Sequence, residues 1–489
     1  MDRLQSLPSA RIWEIFLELS RIPRASGNEK EAAKWVAGYA SARGLISRID
    51  GTGNVLITAT ATPGWEQVPA LAFQAHLDMV PVCDPGCSHD FTRDPLELEI
   101  REYAGEPFVT AVHTTLGADD GIGVATALAI ITDPDLQHGP LEAVFTVAEE
   151  TSMQGAAKFR EGMLASEMMV NIDSENDQEV IIGAAGGCDL HASMPMRRTA
   201  VSGEEGLLLR FSGFTGGHSG IDIHHGRANA IITAARVVRE LTAEIPLRLA
   251  SFEGGTLRNA IPVNAQVLLC GTPEDTALAA RKAAAIAASL KTEHRDTDPR
   301  ISLEAVSHDP APAMSPEDTR RYVKAICDLP DGVVTMSEEF PEVVESSSNL
   351  GLVTSRNGIL MITALLRSLT STGDLKKMMA EALEQAGARI EEANEYPAWT
   401  PSAHSPLLKL YEGIYQENCF SKPQINVLHA GVECGILKAA YPAMDIISLG
   451  PTIIGAHTTG ERVSVPSVEK IYGLLLELVE GMKTIRKRS

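Results

Sequence analysis

Three short apolar runs in the first third of the chain each end in an acid or a histidine: ALAFQAHLDMV (70–80), LEAVFTVAEE (141–150) and MMVNIDSE (168–175). Runs of that length and apolarity read as strands buried on both faces. GIGVATALAIITD (121–133) lies between the first two and reads as a helix. Strands joined through helices pair in parallel, and the helices cover the sheet. The expected fold class is therefore α/β, a mixed, mostly parallel sheet sandwiched by helices. Further upstream, Ala32 to Ala42 reads as helical, and LISRIDGTGNVLITAT reads as two strands about a turn at Gly51-Thr52-Gly53. Sheets of this kind bind ligands at the carboxyl ends of their strands, where the polar residues of these three runs stand.

At 489 residues the chain exceeds one ordinary core, so two domains are expected. Residues 188–392 change character. LLLRFSGF, a helix at NAIITAARVVRELTA, the stretch RNAIPVNAQVLLCG and a helix at EDTALAARKAAAIAASL form one unit. ISLEAVSH, a helix at SPEDTRRYVKAICDL, the stretch SSNLGLVTSRNGILMITALLRSL and a helix at GDLKKMMAEALEQAG form another, with Asn259 and Asn349 at similar places. Both read β-α-β-β-α, either as an internal duplication or as the likeness small α+β units often share. From 393 the first domain resumes with a helix at PLLKLYEGIYQENC, strands at PQINVLHAG and MDIISLGP, and a basic amphipathic helix at the end. The expectation is a first domain of 1–187 and 393–489, with 188–392 as an inserted α+β domain.

The chain carries 64 acidic against 42 basic residues, a net charge of −22, which argues against nucleic acid or an anionic membrane as partner. No apolar run reaches a membrane span, and the N-terminal stretch reads as a helix of the mature protein rather than a targeting segment. Seven thinly spread cysteines fit reduced thiols in a cytoplasmic protein. Cys83 and Cys87 have no second pair with which to form a zinc knuckle.

Five local patterns carry the chemistry. His76 and Asp78 form an HxD whose side chains share one face of a strand; alone it is as readily a structural pair. Asp119 and Asp120 stand between glycines at a helix start, where a carboxylate caps the helix or meets a metal. Glu149 and Glu150 close a core strand, either as solvated charges or as base and ligand on opposite faces. Asp173 repeats the strand-ending carboxylate, and His457 follows a glycine-rich turn in GAHTTGERV. Two imidazoles and three carboxylates suit zinc. A shared aspartate between two ions roughly 3.5–4 Å apart is the usual co-catalytic arrangement.

In order and wording, QAHLDMVP, HDFTRDP, LGADDGIGVA, VAEETSMQGA, NIDSE, GGHSG, RNAIP and LHAGVECG resemble the co-catalytic zinc peptidases. That family includes carboxypeptidase G, aminoacylase, tripeptidase T and carnosinase-type dipeptidases. The likeness covers essentially the whole chain and is greatest to the subfamily of bacterial aminoacyl-histidine (β-alanyl-histidine) dipeptidases, also called peptidase D. It implies two Zn2+ per subunit, with Mn2+ or Co2+ as substitutes. His76 and Asp173 would hold one ion, Glu150 and His457 the other, with Asp119 bridging. Asp78 would orient His76, and Glu149 would be the general base acting on a zinc-bridged water. His218 would stabilise the oxyanion, Asn259 and Arg367 would contact the substrate carboxylate, and Glu433 the free amino group. Asp120 departs from the asparagine that relatives often carry there.

The activity implied is hydrolysis of unblocked dipeptides of Xaa-His or β-alanyl-histidine type; N-acyl-amino-acid deacylation or tripeptide cleavage is the alternative. A catalytically dead binding protein would lack a ligand or the base, and none is missing. The resemblance implies that the inserted domain, 188–392, is a lid; family members often dimerise through it and lend a histidine across the interface. A homodimer is therefore an expected partner arrangement, unless the duplication lets one subunit supply that histidine itself.

Overall fold

The computed structural model describes residues 4–402 and 404–485. The last residues of the basic C-terminal segment, 486–489, lie outside the described residues, as do residues 1–3 of the N-terminal stretch. The chain divides into two compact units. One comprises Met1–Ala184, Trp399–Val427 and Val432–Ser489; the other comprises Ala185–Ala398 with Leu428–Gly431. Within the four residues 428–431, His429 bonds to Ser347 of the second unit.

The first unit is built on an eight-stranded sheet. In spatial order its strands are Ile46–Ile49, Val55–Ala59, Leu141–Thr146, Leu71–His76, Met168–Asn171, Asp445–Ser448, Glu179–Ala184 and Gln424–Leu428. The four central strands, from 141–146 to 445–448, pair in parallel. The 46–49 and 55–59 strands on one side and the 179–184 strand on the other join antiparallel. Every residue of the 71–76 and 141–146 strands is buried, as their unbroken apolarity requires. Full burial of each Val, Leu, Ile or Phe there contributes roughly 1.5–3 kcal/mol. The Ala118–Ile131 helix is buried along nearly its whole length and packs on the 71–76 strand. A separate four-stranded sheet, which includes the 98–103/106–111 hairpin, was not apparent in the sequence. The N-terminal and C-terminal helices run Ala10–Ser20 and Val465–Gly481.

The second unit is a nine-stranded sheet with antiparallel pairings. Its main path runs 302–308, 205–212, 265–271, 248–254, 344–356, 359–368, 186–195, 389–396. This order has two matching halves that meet between 248–254 and 344–356. The halves are not the two consecutive units read from the sequence. The 302–308 strand, expected to open the second unit, pairs with 205–212 and forms the outer edge of the first half. The matching inner place in the second half, beside 359–368, is taken by the earlier 186–195 strand. Local periodicity identifies strands but carries no information about which neighbour each will find.

Candidate active site

The carboxyl end of the 71–76 strand delivers His76, which is buried. Its Nε2 lies 3.0 Å from Asp119 Oδ1 and 3.5 Å from Asp173 Oδ1. Asp119 Oδ2 lies 3.1 Å from His457 Nε2, which is 2.9 Å from Glu150 Oε1. The five residues expected to bind metal therefore form one connected cluster, although 284 positions separate Asp173 from His457 (457 minus 173). His76, Asp119 and Glu150 each offer a ligand atom within 4.8 Å of the others, and so do His76, Asp120 and Asp173. Asp120 is also engaged in the backbone, its Oδ2 accepting the His76 N–H at 3.1 Å.

Asp78 acts on two sides. Its Oδ1 lies 3.5 Å from His76 Nδ1. The same carboxylate accepts the Ser26 hydroxyl and the N–H groups of Glu149 and Glu150 at 2.8, 3.0 and 3.1 Å. The two glutamates are not on the strand. The 141–146 strand stops short of them, Ala148 turns the chain at φ +57°, and Glu149–Ser152 is a single helical turn. Strand alternation therefore does not separate the two glutamates, as the sequence had suggested; the turn does, with Asp78 accepting the N–H groups at its start.

The helix that carries Asp119 starts from Gly117 in the left-handed region, and its first turn is irregular at Asp119 and Asp120. Neither aspartate caps it. The acceptor is Glu461, four residues beyond His457. Its Oε2 takes the N–H groups of Leu116 and Gly117 at 2.7 and 2.9 Å, and its Oε1 those of Ala118 and Asp119 at 2.7 and 3.3 Å. Arg24, wholly buried, donates to the carbonyls of Leu77 and Asp78 at 2.9 and 3.1 Å and to that of Gly117. Glycines 117 and 121 make room for this guanidinium. A Cβ at either would stand 2.6 or 2.4 Å from Arg24 Nη2. Arg24 and Glu461 escaped the sequence reading. The only local hint was the acid ending the HTTGE string.

Crowded acids and imidazoles set the electrostatics. Burial works to lower the pKa of His76, but the carboxylates of Asp173, Asp119 and Asp78 outweigh it and raise the imidazole well above its usual range. Burial pushes Asp173 up to about 6, and it pushes Glu149 and Asp120 well above ordinary carboxyl values. Hydrogen bonds to Asp119 and Glu150 raise His457 to about 10. Nitrogen and oxygen donors this close, with carboxylates that repel one another, fit a divalent cation of the zinc type.

Glu433 is completely buried. Its Oε2 accepts from Thr146 Oγ1 at 2.6 Å and Gln74 Nε2 at 2.8 Å, while Oε1 has no partner among the described residues. Burial raises its pKa to about 7.

The second unit gathers its own cluster. His218 pairs with Ala260 in a two-residue ladder, and the Ser219 N–H donates to Asn259 O at 2.9 Å. Arg367 Nη1 donates to Ser219 Oγ at 2.7 Å. His218 Nδ1 accepts the N–H groups of Gly220 and Ile221 at 3.2 and 3.1 Å, which leaves the proton of the neutral ring on Nε2. Burial and the Arg367 charge lower the His218 pKa, favouring that neutral form. Asn259 is exposed, and Asn349 holds its loop by donating to the carbonyls of Arg258 and Ala260. Arg367 is buried, with no carboxylate paired to it among the described residues and Nε unpartnered. His429, also buried, bonds through Nε2 to Ser347 Oγ at 2.7 Å, and burial lowers its pKa to about 3. Neither Ser219 nor His429 was marked in the sequence, although both lie inside motifs quoted for other residues.

Residues 72–481 match the model of peptidase family M20/M25/M40. The chain belongs to that family. It is 37% identical to the cytosol non-specific dipeptidase of Escherichia coli K12, over 98% of this chain and 99% of that one. A crystal structure of aminoacylhistidine dipeptidase from Vibrio alginolyticus superposes with a TM-score of 0.93 at 37% identity, covering 99% of each chain. Aminopeptidase PepT from Bacillus cereus, at 17% identity and a TM-score of 0.55 over 98% of this chain, shares the fold. This family membership and fold agree with the resemblance read from the sequence.

Proposed function

We propose that this peptidase hydrolyses the peptide bond of unblocked dipeptides in the cytoplasm, with Xaa-His or β-alanyl-histidine substrates among them. The observation that carries the reading is the contact cluster of His76, Asp119, Glu150, Asp173 and His457. Two zinc ions, or manganese or cobalt in their place, would be held by His76 with Asp173 and by Glu150 with His457, Asp119 serving both. When bound, such ions lower the pKa of water and polarise a carbonyl.

The chain's own groups do the rest. Glu149 takes the proton of the attacking water and passes it to the leaving amine, and burial raises its pKa above the ordinary carboxyl range. His218 donates from Nε2 to the developing oxyanion, since Nδ1 is occupied. Arg367, a buried guanidinium with no carboxylate of its own, receives the substrate carboxylate together with Asn259. Glu433 is the candidate for the substrate's amino group, and its Oε1 is the carboxylate oxygen without a hydrogen-bond partner among the described residues. The printed names of the E. coli and Vibrio relatives support the substrate class, and the first also supports the compartment. Among the described residues no helix is long and apolar enough to cross a membrane, and the seven cysteines are free thiols.

The test sets Ala-His, carnosine, a tripeptide and N-acetylmethionine side by side, with bound metal measured on the same preparation. Cleavage of the two dipeptides by protein holding about two ions per chain is expected. Turnover of the blocked substrate alone would sink the dipeptidase reading.

A further inference from the structure

We propose that Glu461 and Arg24 are positioning residues that hold the proposed metal ligands in place before any metal binds. The inference rests on the metal site proposed above and concerns what keeps that site in shape without its ions.

Without cations, Asp119, Asp120, Asp173 and Glu150 repel one another, and most of them ride on loops or irregular turns that repulsion would spread. The first N–H groups of a helix have no partner inside it, so the 116–119 segment must find acceptors elsewhere. It finds them in one buried carboxylate, which takes four consecutive N–H groups, two on each oxygen. That pattern requires ionised Glu461, because a protonated oxygen would oppose a donor with a donor. Since Glu461 follows His457 by four residues, the contact fastens the loop of one imidazole ligand to the loop of the proposed bridging acid. Their side chains then meet at 3.1 Å, His457 Nε2 to Asp119 Oδ2.

Arg24 makes the matching tie on the other side. It joins the carbonyls of Leu77 and Asp78, which follow His76, to that of Gly117. Its charge lies near Glu461, Asp78, Asp120 and Asp119, so it offsets part of the acid excess without occupying a ligand position. Gly117 and Gly121 have no side chain because the guanidinium fills that space. None of these contacts needs an ion, and all of them join segments that carry ligands. Residues that orient metal ligands from behind typically change metal affinity about 10–100-fold when altered.

The experiment uses full-length protein stripped of metal by chelation and titrated with zinc, comparing wild type with Glu461→Gln. Glutamine keeps the size but sets an NH2 group against two of the four N–H donors. The expected result is a zinc dissociation constant raised about 10–100-fold, with turnover recovered at saturating zinc. A role in stability alone would lower the melting temperature and leave the zinc affinity of the folded protein unchanged, which would overturn the proposal. Hydrogen exchange on wild-type apoprotein gives a second reading that needs no variant, should Glu461→Gln fail to fold. The amides of 116–119 are expected to stay protected after the metal is removed; exchange at the rate of exposed loops would also overturn it. If wild-type protein takes up no zinc at all, the metal reading itself fails, an outcome distinct from equal affinity in the two proteins.

Discussion

At the scale of single residues, the first unit places acids where water is scarce, and each is held in check differently. Asp78 has Ser26, His76 and two backbone N–H groups as partners, and its pKa falls despite its burial. Burial raises the pKa of Glu149, in keeping with a base that must give and take a proton. Glu149→Ala is expected to cut kcat by at least about 100-fold while the protein keeps its metal; steady-state kinetics with metal analysis checks both, and retained turnover removes Glu149 as the base. Asp331, in the second unit, gives a prediction about pH. Burial pushes its pKa to about 6, although Oδ1 accepts from Asn229 Nδ2 and the Leu350 N–H, both at 2.9 Å. A carboxyl with a folded pKa above its unfolded value binds its proton more tightly when folded. It therefore favours folding below about pH 4, and that advantage is lost as pH rises through about 6. Asp331→Asn keeps the accepting oxygen and removes the ionisation. It should stabilise the protein by about 1–2 kcal/mol at pH 8 and hardly at all at pH 4, the full ~3 kcal/mol of such a shift being reduced by partial solvent contact. Denaturant melts at the two pH values would show it, and an equal effect at both would contradict it.

At the scale of elements, the LGADDGIG string shows how one segment meets two demands. Its acids face the cluster with His76 and His457, while its glycines admit Arg24 from behind. In Gly121→Ala the new methyl would lie 2.4 Å from Arg24 Nη2 and 3.1 Å from the Phe16 ring. Overpacking at such a point costs about 1–3 kcal/mol, which a lowered melting temperature would register; an unchanged one would mean that Arg24 can move aside. The single turn at Glu149–Ser152 makes a related point. Two adjacent acids at the end of an apolar run suggest a strand terminus. The left-handed Ala148 and the acceptor at Asp78 make a helical turn there instead. A pattern with period two cannot foretell a partner supplied 71 residues away.

At the scale of the whole molecule, the first unit is closed by segments distant in sequence, and bound metal should couple to its stability. Ions that bind only the folded state add RT ln(1 + [L]/Kd), about 2.7 kcal/mol at a hundredfold excess over Kd. Chelation should therefore abolish dipeptide hydrolysis and lower the melting temperature by several degrees, and added zinc should restore both. Loss of activity with no thermal shift would indicate ions bound too weakly to count in folding.

The kind of sheet, and the polar residues that end its strands, were legible in the sequence. Apolar runs long enough to be buried on both faces have few other ways to fold, and their polar ends must emerge where a ligand could sit. The sequence by itself also determined the family, through motifs spread along nearly the entire chain. Only the tertiary structure decided what stands behind those side chains: Arg24 at the glycines, Glu461 on four amides, Asp78 at the Glu149 turn, and the strand partners of the second unit. The physical reason is one of range. Burial and periodicity are properties of a short window and leave a local trace. A buried ion or backbone donor needs only some partner of the right charge and shape, and any distant segment can supply it.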